Sequence, residues 1–404
     1  MSRSPELVAP AGDRAMLQAV LAAGAGAVYF GVQGFNMRAT ARNFTAEEIP
    51  EIVSRCHDSR ARAFLAVNTM IYEQELPLLK KLLEQARKAE VDAVIAWDLA
   101  VLQAAAGLGL TIHLSTQAGA ANSSAAAAYR ALGVKRCVLA RECTLEQVSE
   151  IRRESGLEVE AFAHGAMCVS VSGRCFLSQF LDGRSANRGD CLQPCRRAYD
   201  TYLIRERDGG RELVLGNDYV LSPRDLCTLP FLDRLAPVVD ALKIEGRARN
   251  VEYAATAVRV YRRALEAVSA GAFSEALVEE GLAELRQVYN RGFSAGFYLG
   301  RPLDDFTRRP GSQAEKRKIT LGRVENYYAR PGVAEIFITA GQLSPGDEIL
   351  IIGPTTGLVS AEVETMEIEH RRVKRAVRGE RVGVKLPQRV RRGDQVYLRL
   401  DAHG

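Results

Sequence analysis

A chain of 404 residues, 47% hydrophobic and 25% charged, has a globular composition that excludes a disordered or fibrous polypeptide and leaves room for two or three domains. Its net charge of +5 permits an anionic partner without requiring one. There is no signal-peptide pattern, and no apolar run reaches the ~18 residues of a spanning helix; the expectation is a cytoplasmic protein without membrane contact. There, eight cysteines serve as thiols or metal ligands rather than disulfides.

In chain order, short apolar runs come first. ELVAP (6–10), AVYFGV (27–32), AFLAVNT (63–69), AVIAWD (93–98), IHLSTQ (112–117), RCVLAR (136–141) and VEAFAHG (159–165) predict buried strands. Amphipathic stretches such as RAMLQAVLAAGA and LPLLKKLLEQARKAE lie between them and predict helices. A further strand, DALKIEG (240–246), precedes the long helical stretch NVEYAATAVRVYRRALEAV. Strands without polar alternation, separated by helices, belong to a parallel sheet covered on both faces. Seven strands plus one predict an α/β fold of the (β/α)8 TIM-barrel-like type over residues 1–304, with a doubly wound sheet as the alternative.

Polar residues gather where these strands end: Asn68, Asp98, Ser115, Gln117, Arg141, Glu142, His164, Lys243, Glu245 and Arg247. In a barrel those ends share one face, where active sites are built. Arg141, Glu142, His164, Lys243 and Glu245 are the candidate catalytic groups. Asn68, Ser115, Gln117 and Arg247 are the candidate binding groups for a small anionic metabolite. A helix cap or a loop salt bridge explains any one of them alone equally well.

Strand seven runs into HGAMCVSVSGRCFLSQFLDGRSANRGDCLQPCRRAY (164–199), the start of an insert expected to span 164–227. It carries Cys168, Cys175, Cys191 and Cys195 in the spacing C-x6-C-x15-C-x3-C, with Gly165, Gly173, Gly183, Gly189 and five arginines. Structural zinc favours paired C-x2–4-C knuckles; the wide, uneven spacing suits an iron–sulfur cluster better, and free thiols remain a third reading. Glycines let backbone amides approach the sulfurs. Cys227, in SPRDLC, is an alternative fourth ligand to Cys195. Cys56, Cys137 and Cys143 lie in periodic segments and predict small buried side chains.

Residues 305–318, DFTRRPGSQAEKRK, predict a linker. From 319 to 404, short alternating runs separated by turns such as SPGDE and RRGDQ predict a small antiparallel β-barrel. Between Arg371 and Arg392 ten Lys or Arg face one acid, Glu380. Arg371, Arg372, Lys374 and Arg375 open that run and are candidate contacts to RNA phosphates; a solvated face is the other reading.

The start ELVAPAGDRAMLQAVLAAGAGAVYFG, the cysteine segment EAFAHGAMCVSVSGRCFLSQFLDGRSANRGDCLQPCR, and HLSTQAGAAN, SPRDLC and LKIEGR together resemble the U32 peptidase-like family, also called collagenase-like proteases. The resemblance covers nearly the whole chain, including a C-terminal domain similar to domain two of translation elongation factors. It implies a barrel-like catalytic domain, a [4Fe–4S] cluster, and oxygen-independent hydroxylation of tRNA wobble uridine, 23S ribosomal RNA cytidine or the ubiquinone ring. In the RNA branches it also implies a need for prephenate. Cys168, Cys175 and Cys191 match the first three thiols of the family pattern; branches differ in whether the fourth stands at Cys195 or near Cys227. The C-terminal domain favours the RNA branches. Peptidase activity is the alternative, although G-x-S-x-G and H-E-x-x-H are both missing and His57, His113 and His164 are the histidines at hand. A non-catalytic iron–sulfur scaffold is a further alternative.

Overall fold

A computed structural model of the chain describes residues 4–38, 42–197, 222–302, 305–307 and 311–402, with the backbone of 204–205, 209 and 212–213. Eight strands follow the expected order: β1 (Glu6–Ala11), β2 (Ala27–Gly31), β3 (Arg62–Ala66), β4 (Ala93–Ala96), β5 (Ile112–Leu114), β6 (Val134–Val138), β7 (Glu158–Ala166) and β8 (Ala241–Ile244). Each is parallel to its neighbour, and β8 pairs with both β1 and β7. That double pairing closes the sheet, so the fold is a TIM-like barrel and not a doubly wound sheet.

The apolar runs show why. Successive side chains of a strand point to opposite faces. Leu7, Ala9, Val28, Phe30, Ala63 and Leu65 pack outward against the helices, whereas Val8, Ala27, Tyr29, Phe64, Ala93 and Ile95 fill the barrel interior. The helices start on side-chain caps: Asp13 accepts from the Met16 N–H, Asn122 from Ala125 and Thr144 from Gln147. Asp98, expected at the mouth, is another cap; its carboxylate accepts from the N–H groups of Ala100 and Ile71, and it serves the local fold.

The interior also holds charge. The Arg136 guanidinium meets Glu158 at 2.7 Å, Glu6 at 2.8 Å and Glu160 at 3.2 Å, and Glu160 accepts from Lys243 Nζ at 2.8 Å. Glu160 is fully buried. Burial opposes its ionisation, but Lys243 and Arg136 outweigh burial and hold its carboxyl down at about 2.

The segment after β7 is irregular apart from single turns and the helix Leu177–Asp182. Most of 198–221, the later part of the expected insert, lies outside the described residues. The chain returns along Asp225–Cys227, antiparallel to β7, with Asp225 opposite Ala166 and Cys227 opposite His164.

C-terminal to the barrel, eight strands form an antiparallel sheet with its own core of residues such as Leu321, Val324, Ile336, Ile351, Val382 and Val396. Its first strand, Lys316–Tyr328, begins three residues inside the expected linker, because Lys316, Arg317 and Lys318 already pair with Asp401, Leu400 and Arg399. One edge strand, Gly357–Glu362, packs on the helix Arg14–Ala22. A Cβ on Gly357 would stand 2.9 Å from the Ala19 backbone nitrogen, so only glycine permits that approach. Lys318 Nζ to Glu252 at 2.8 Å and Arg399 Nη2 to Gln287 Oε1 at 3.1 Å add polar ties to the barrel. Among the described residues no helix is long and apolar enough to cross a membrane.

Removing Glu160 strands the buried Lys243 and takes from Arg136 one of its three carboxylates. Glu160→Ala should cost about 3–5 kcal/mol in urea unfolding. Its folded pKa of about 2 lies below the ~4.3 of an unfolded Glu. Its contribution is therefore complete above ~4.3 and lost as pH falls toward about 2. Glu160→Gln should accordingly show a shallower acid loss over that window than the wild type; equal slopes would count against this role.

Candidate active site

The C-terminal ends of the barrel strands surround a cavity of about 150 Å³. Seven of the ten expected mouth residues line it: Asn68, Ser115, Gln117, Arg141, Lys243, Glu245 and Arg247. The insert supplies the roof, where Cys168, Cys175, Cys191 and Cys195 all face the same space.

The floor is tightly wired. Asn68 Nδ2 donates to Gln117 Oε1 at 3.2 Å and lies 3.4 Å from Ser115 Oγ. Ser115 in turn donates to Gln117 Oε1, and Asn68 Oδ1 accepts from the Met37 N–H at 3.1 Å. Glu245 accepts from Arg38 Nη2 at 2.8 Å and from Tyr29 Oη at 3.3 Å. Burial opposes ionisation of Glu245, but Arg38, Arg141 and Arg247 hold its carboxyl at about 2, so it stays a carboxylate. Lys243 is committed to Glu160 and sits 4.3 Å from the Tyr29 ring centre.

Two cations are left over. Arg247 reaches Asn36 Oδ1 at 3.1 Å, while its buried Nε has no partner. Arg141 stacks 3.9 Å from the Phe162 ring centre. It has no carboxylate within ion-pair distance among the described residues. Arg38–Glu245 and Lys243–Glu160 cancel in charge, so Arg141 and Arg247 give the floor a cationic excess suited to a carboxylate or phosphate.

The roof suits an electron-rich sulfur cluster. The Ser170 N–H donates to Cys168 Sγ at 3.5 Å, the Leu177 N–H to Cys175 Sγ at 3.3 Å, and Ser178 Oγ stands 4.0 Å from Cys191 Sγ. Such donors stabilise thiolate-ligated clusters. Burial pushes the Cys195 thiol up to about 11; Arg196 opposes this, and the charges of Cys168, Cys191 and Cys175 reinforce it. Cys227 is elsewhere: it is buried outside the cavity, with Tyr261 Oη 3.7 Å from its sulfur. Among the described residues no three His, Cys, Asp or Glu side chains are grouped to hold a metal ion. Four thiols around a shared space, not grouped for one ion and three of them with a donor at sulfur, fit a polynuclear cluster, in which metals stand between the sulfurs.

Two expected catalytic residues fall outside the cavity. His164 lies within β7 and not at its end. Its ring is packed by Tyr253, Tyr261 and Phe293, with centroids 5.8, 5.6 and 5.7 Å away, and Nδ1 has no partner. Burial, then Arg249, pushes its pKa down to about 3. Glu142 accepts from the Ser172 N–H at 3.3 Å and braces the insert instead. Arg371, Arg372, Lys374 and Arg375 are exposed, and the strand Arg371–Arg372 is the edge of the sheet opposite Gly357–Glu362. The structure thus sets them apart from the side that packs on the barrel. Arg38 and Tyr29 were missed: Tyr29 lies in the middle of β2, where the strand-end rule does not look, and Arg38 lies in the loop well beyond its end.

Comparison with known proteins adds a lineage. The profile described as peptidase family U32 matches residues 12–307. An uncharacterized protease of Methanocaldococcus jannaschii is 46% identical, with 97% of this chain and 98% of the relative covered. A collagenase of Porphyromonas gingivalis is 40% identical over 97% of each chain. A tRNA hydroxylation protein of Bacillus subtilis is 32% identical over 91% of this chain and 87% of its own.

A buried imidazole with a pKa of about 3 stays neutral through physiological pH. Its neutral form contributes stability fully above the unfolded value of ~6.5, and that contribution is lost as pH falls toward about 3. The ring resonances of His164 should not titrate between ~pH 5 and 8 in two-dimensional NMR, which spans the unperturbed value. A midpoint near that value would restore His164 as an acid–base candidate.

Proposed function

This chain belongs to peptidase family U32, and we propose that it is an iron–sulfur enzyme hydroxylating an RNA base without dioxygen, with prephenate as co-substrate. The base is a tRNA wobble uridine or a 23S ribosomal RNA cytidine. One observation carries the reading: four thiols, three with hydrogen-bond donors at sulfur, roof a cavity whose floor holds two guanidinium groups with no carboxylate at ion-pair distance among the described residues. The Bacillus subtilis relative, named for tRNA hydroxylation, supports the same direction.

Cys168, Cys175, Cys191 and Cys195 would hold a [4Fe–4S] cluster, which supplies one-electron redox chemistry beside the substrate. The floor binds and orients. Arg141 and Arg247 receive the two carboxylates of prephenate, and the Asn68–Ser115–Gln117 chain presents a fixed set of polar atoms. Glu245, held ionised, keeps Arg38 in place and carries no proton to donate at neutral pH. The exposed cations at the far sheet edge supply a phosphate-binding surface outside the cavity.

The name of the Porphyromonas gingivalis relative points to proteolysis, but the geometry does not. A peptidase needs a nucleophile within reach of a base, or a metal-bound water. Among the described residues no histidine is hydrogen-bonded to a thiol or hydroxyl: His57 meets Asp92, and His113 and His164 each have an unpartnered Nδ1.

Anaerobically reconstituted protein should be brown and contain iron and sulfide. Alanine at Cys168, Cys175, Cys191 or Cys195 should remove the colour, whereas Cys227→Ala should keep it. Total tRNA and ribosomal RNA from a deletion strain should lack one hydroxylated nucleoside by mass spectrometry, restored by the wild type but not by Cys191→Ala. Colourless protein binding a single zinc, with an unchanged nucleoside profile, would overturn the assignment.

For the floor, calorimetry should show prephenate binding to the wild type that weakens roughly tenfold or more in Arg141→Ala, the scale of a lost charge-assisted hydrogen bond. Equal binding by both proteins would remove Arg141 from the ligand site.

A further inference from the structure

The cysteine insert carries an unusual surface. Phe176 is 61% exposed and Phe180 is 83% exposed, with ring centroids 6.3 Å apart. Val171 and Leu181 of the same insert are exposed beside them in sequence. Packing does not account for these rings, because the short helix Leu177–Asp182 turns Leu177 and Ser178 toward the cavity and leaves Phe180 and Leu181 in water. Phe176 lies between Cys175 and Leu177, which both line the cavity, so the exposed pair sits on the outer side of the segment that roofs it.

We propose that Phe176 and Phe180 form a stacking platform for unpaired bases of RNA, positioning the strand so that one base enters the cavity between the thiols and Arg141. This rests on the RNA reading above and deepens it. An exposed ring offers a π-face to any base, and single strands are held by such faces interleaved with cations. The insert and the loops after β3 and β4 carry such pairs: the Arg174 guanidinium lies 4.7 Å from the Trp97 ring centre and Arg188 lies 4.8 Å from that of half-exposed Tyr72. Arg188 is tied to Glu75, whereas Arg174 has no carboxylate within ion-pair distance among the described residues. An exposed guanidinium without an ion-paired carboxylate, two residues before Phe176 in the same insert, is complementary to a polyanion bearing bases, and the exposed cations of residues 371–392 match the same partner. A purely apolar protein partner would leave Arg174 to be desolvated without compensation.

The test uses the full-length protein and a fluorescein-labelled oligouridylate, read by anisotropy across a salt series. Phe176→Ser with Phe180→Ser should weaken binding roughly tenfold or more, the scale of lost base stacking. The salt slope should stay as in the wild type, because no phosphate contact is removed. Phe176→Trp with Phe180→Trp should retain affinity, which separates lost stacking from a disturbed insert. Wild-type RNA binding with unchanged affinity in the serine variant would overturn the platform and leave the RNA reading standing. No RNA binding by the wild type would overturn both. Unchanged RNA affinity with loss of a dimer in gel filtration would assign the patch to a second copy of the chain and overturn the platform.

Discussion

Glu160 sits on β7 without exposure, between the Arg136 guanidinium on β6 and the Lys243 ammonium on β8, while Glu6 on β1 shares the same guanidinium. Four consecutive strands are therefore linked by one chain of charge, and it crosses the β7–β8 seam where the sheet closes. A buried carboxylate is costly to desolvate, and here two cations offset that cost. The same ion pair fixes Lys243 under the cavity. Closure of the barrel and the shape of the site's floor thus depend on one group.

From that floor upward the charges follow a simple rule. Where a cation must be rigid it has a carboxylate, as Lys243 has Glu160 and Arg38 has Glu245. Where a cation faces open space it stacks on a ring or leaves a nitrogen unused, as Arg141 and Arg247 do. In the roof, three of the four sulfurs that face the cavity receive N–H or O–H donors from their own loop, whereas Cys227, outside it, is packed in the core with the Tyr261 hydroxyl as its donor.

The barrel was legible because buried parallel strands lack polar alternation, so β1 to β8 stand out as apolar runs. Closure was not, since it depends on β8 meeting both β1 and β7 across long stretches of chain. The strand-end rule found Asn68, Ser115, Gln117, Arg141, Lys243, Glu245 and Arg247. It failed at His164 because β7 runs on to Ala166 and the strand Asp225–Cys227 covers it, neither of which local pattern shows. Glu160 was invisible for the opposite reason: an acid inside an apolar run looks like an exception until its two partners, far apart in sequence, arrive. The four thiols were legible by spacing; that Cys195 faces the cavity while Cys227 is buried outside it needed the fold.

Ala166 and Asp225 are register partners, so the chain leaves the barrel and rejoins it at one point. The ends of the roof are held by the strand ladder rather than by the roof itself. Lengthening such a loop carries only the slow logarithmic cost of closure, about 0.6 kcal/mol per doubling. The roof is in that sense a cassette: its size and surface can diverge while the seam, the charge chain and the floor beneath stay in register.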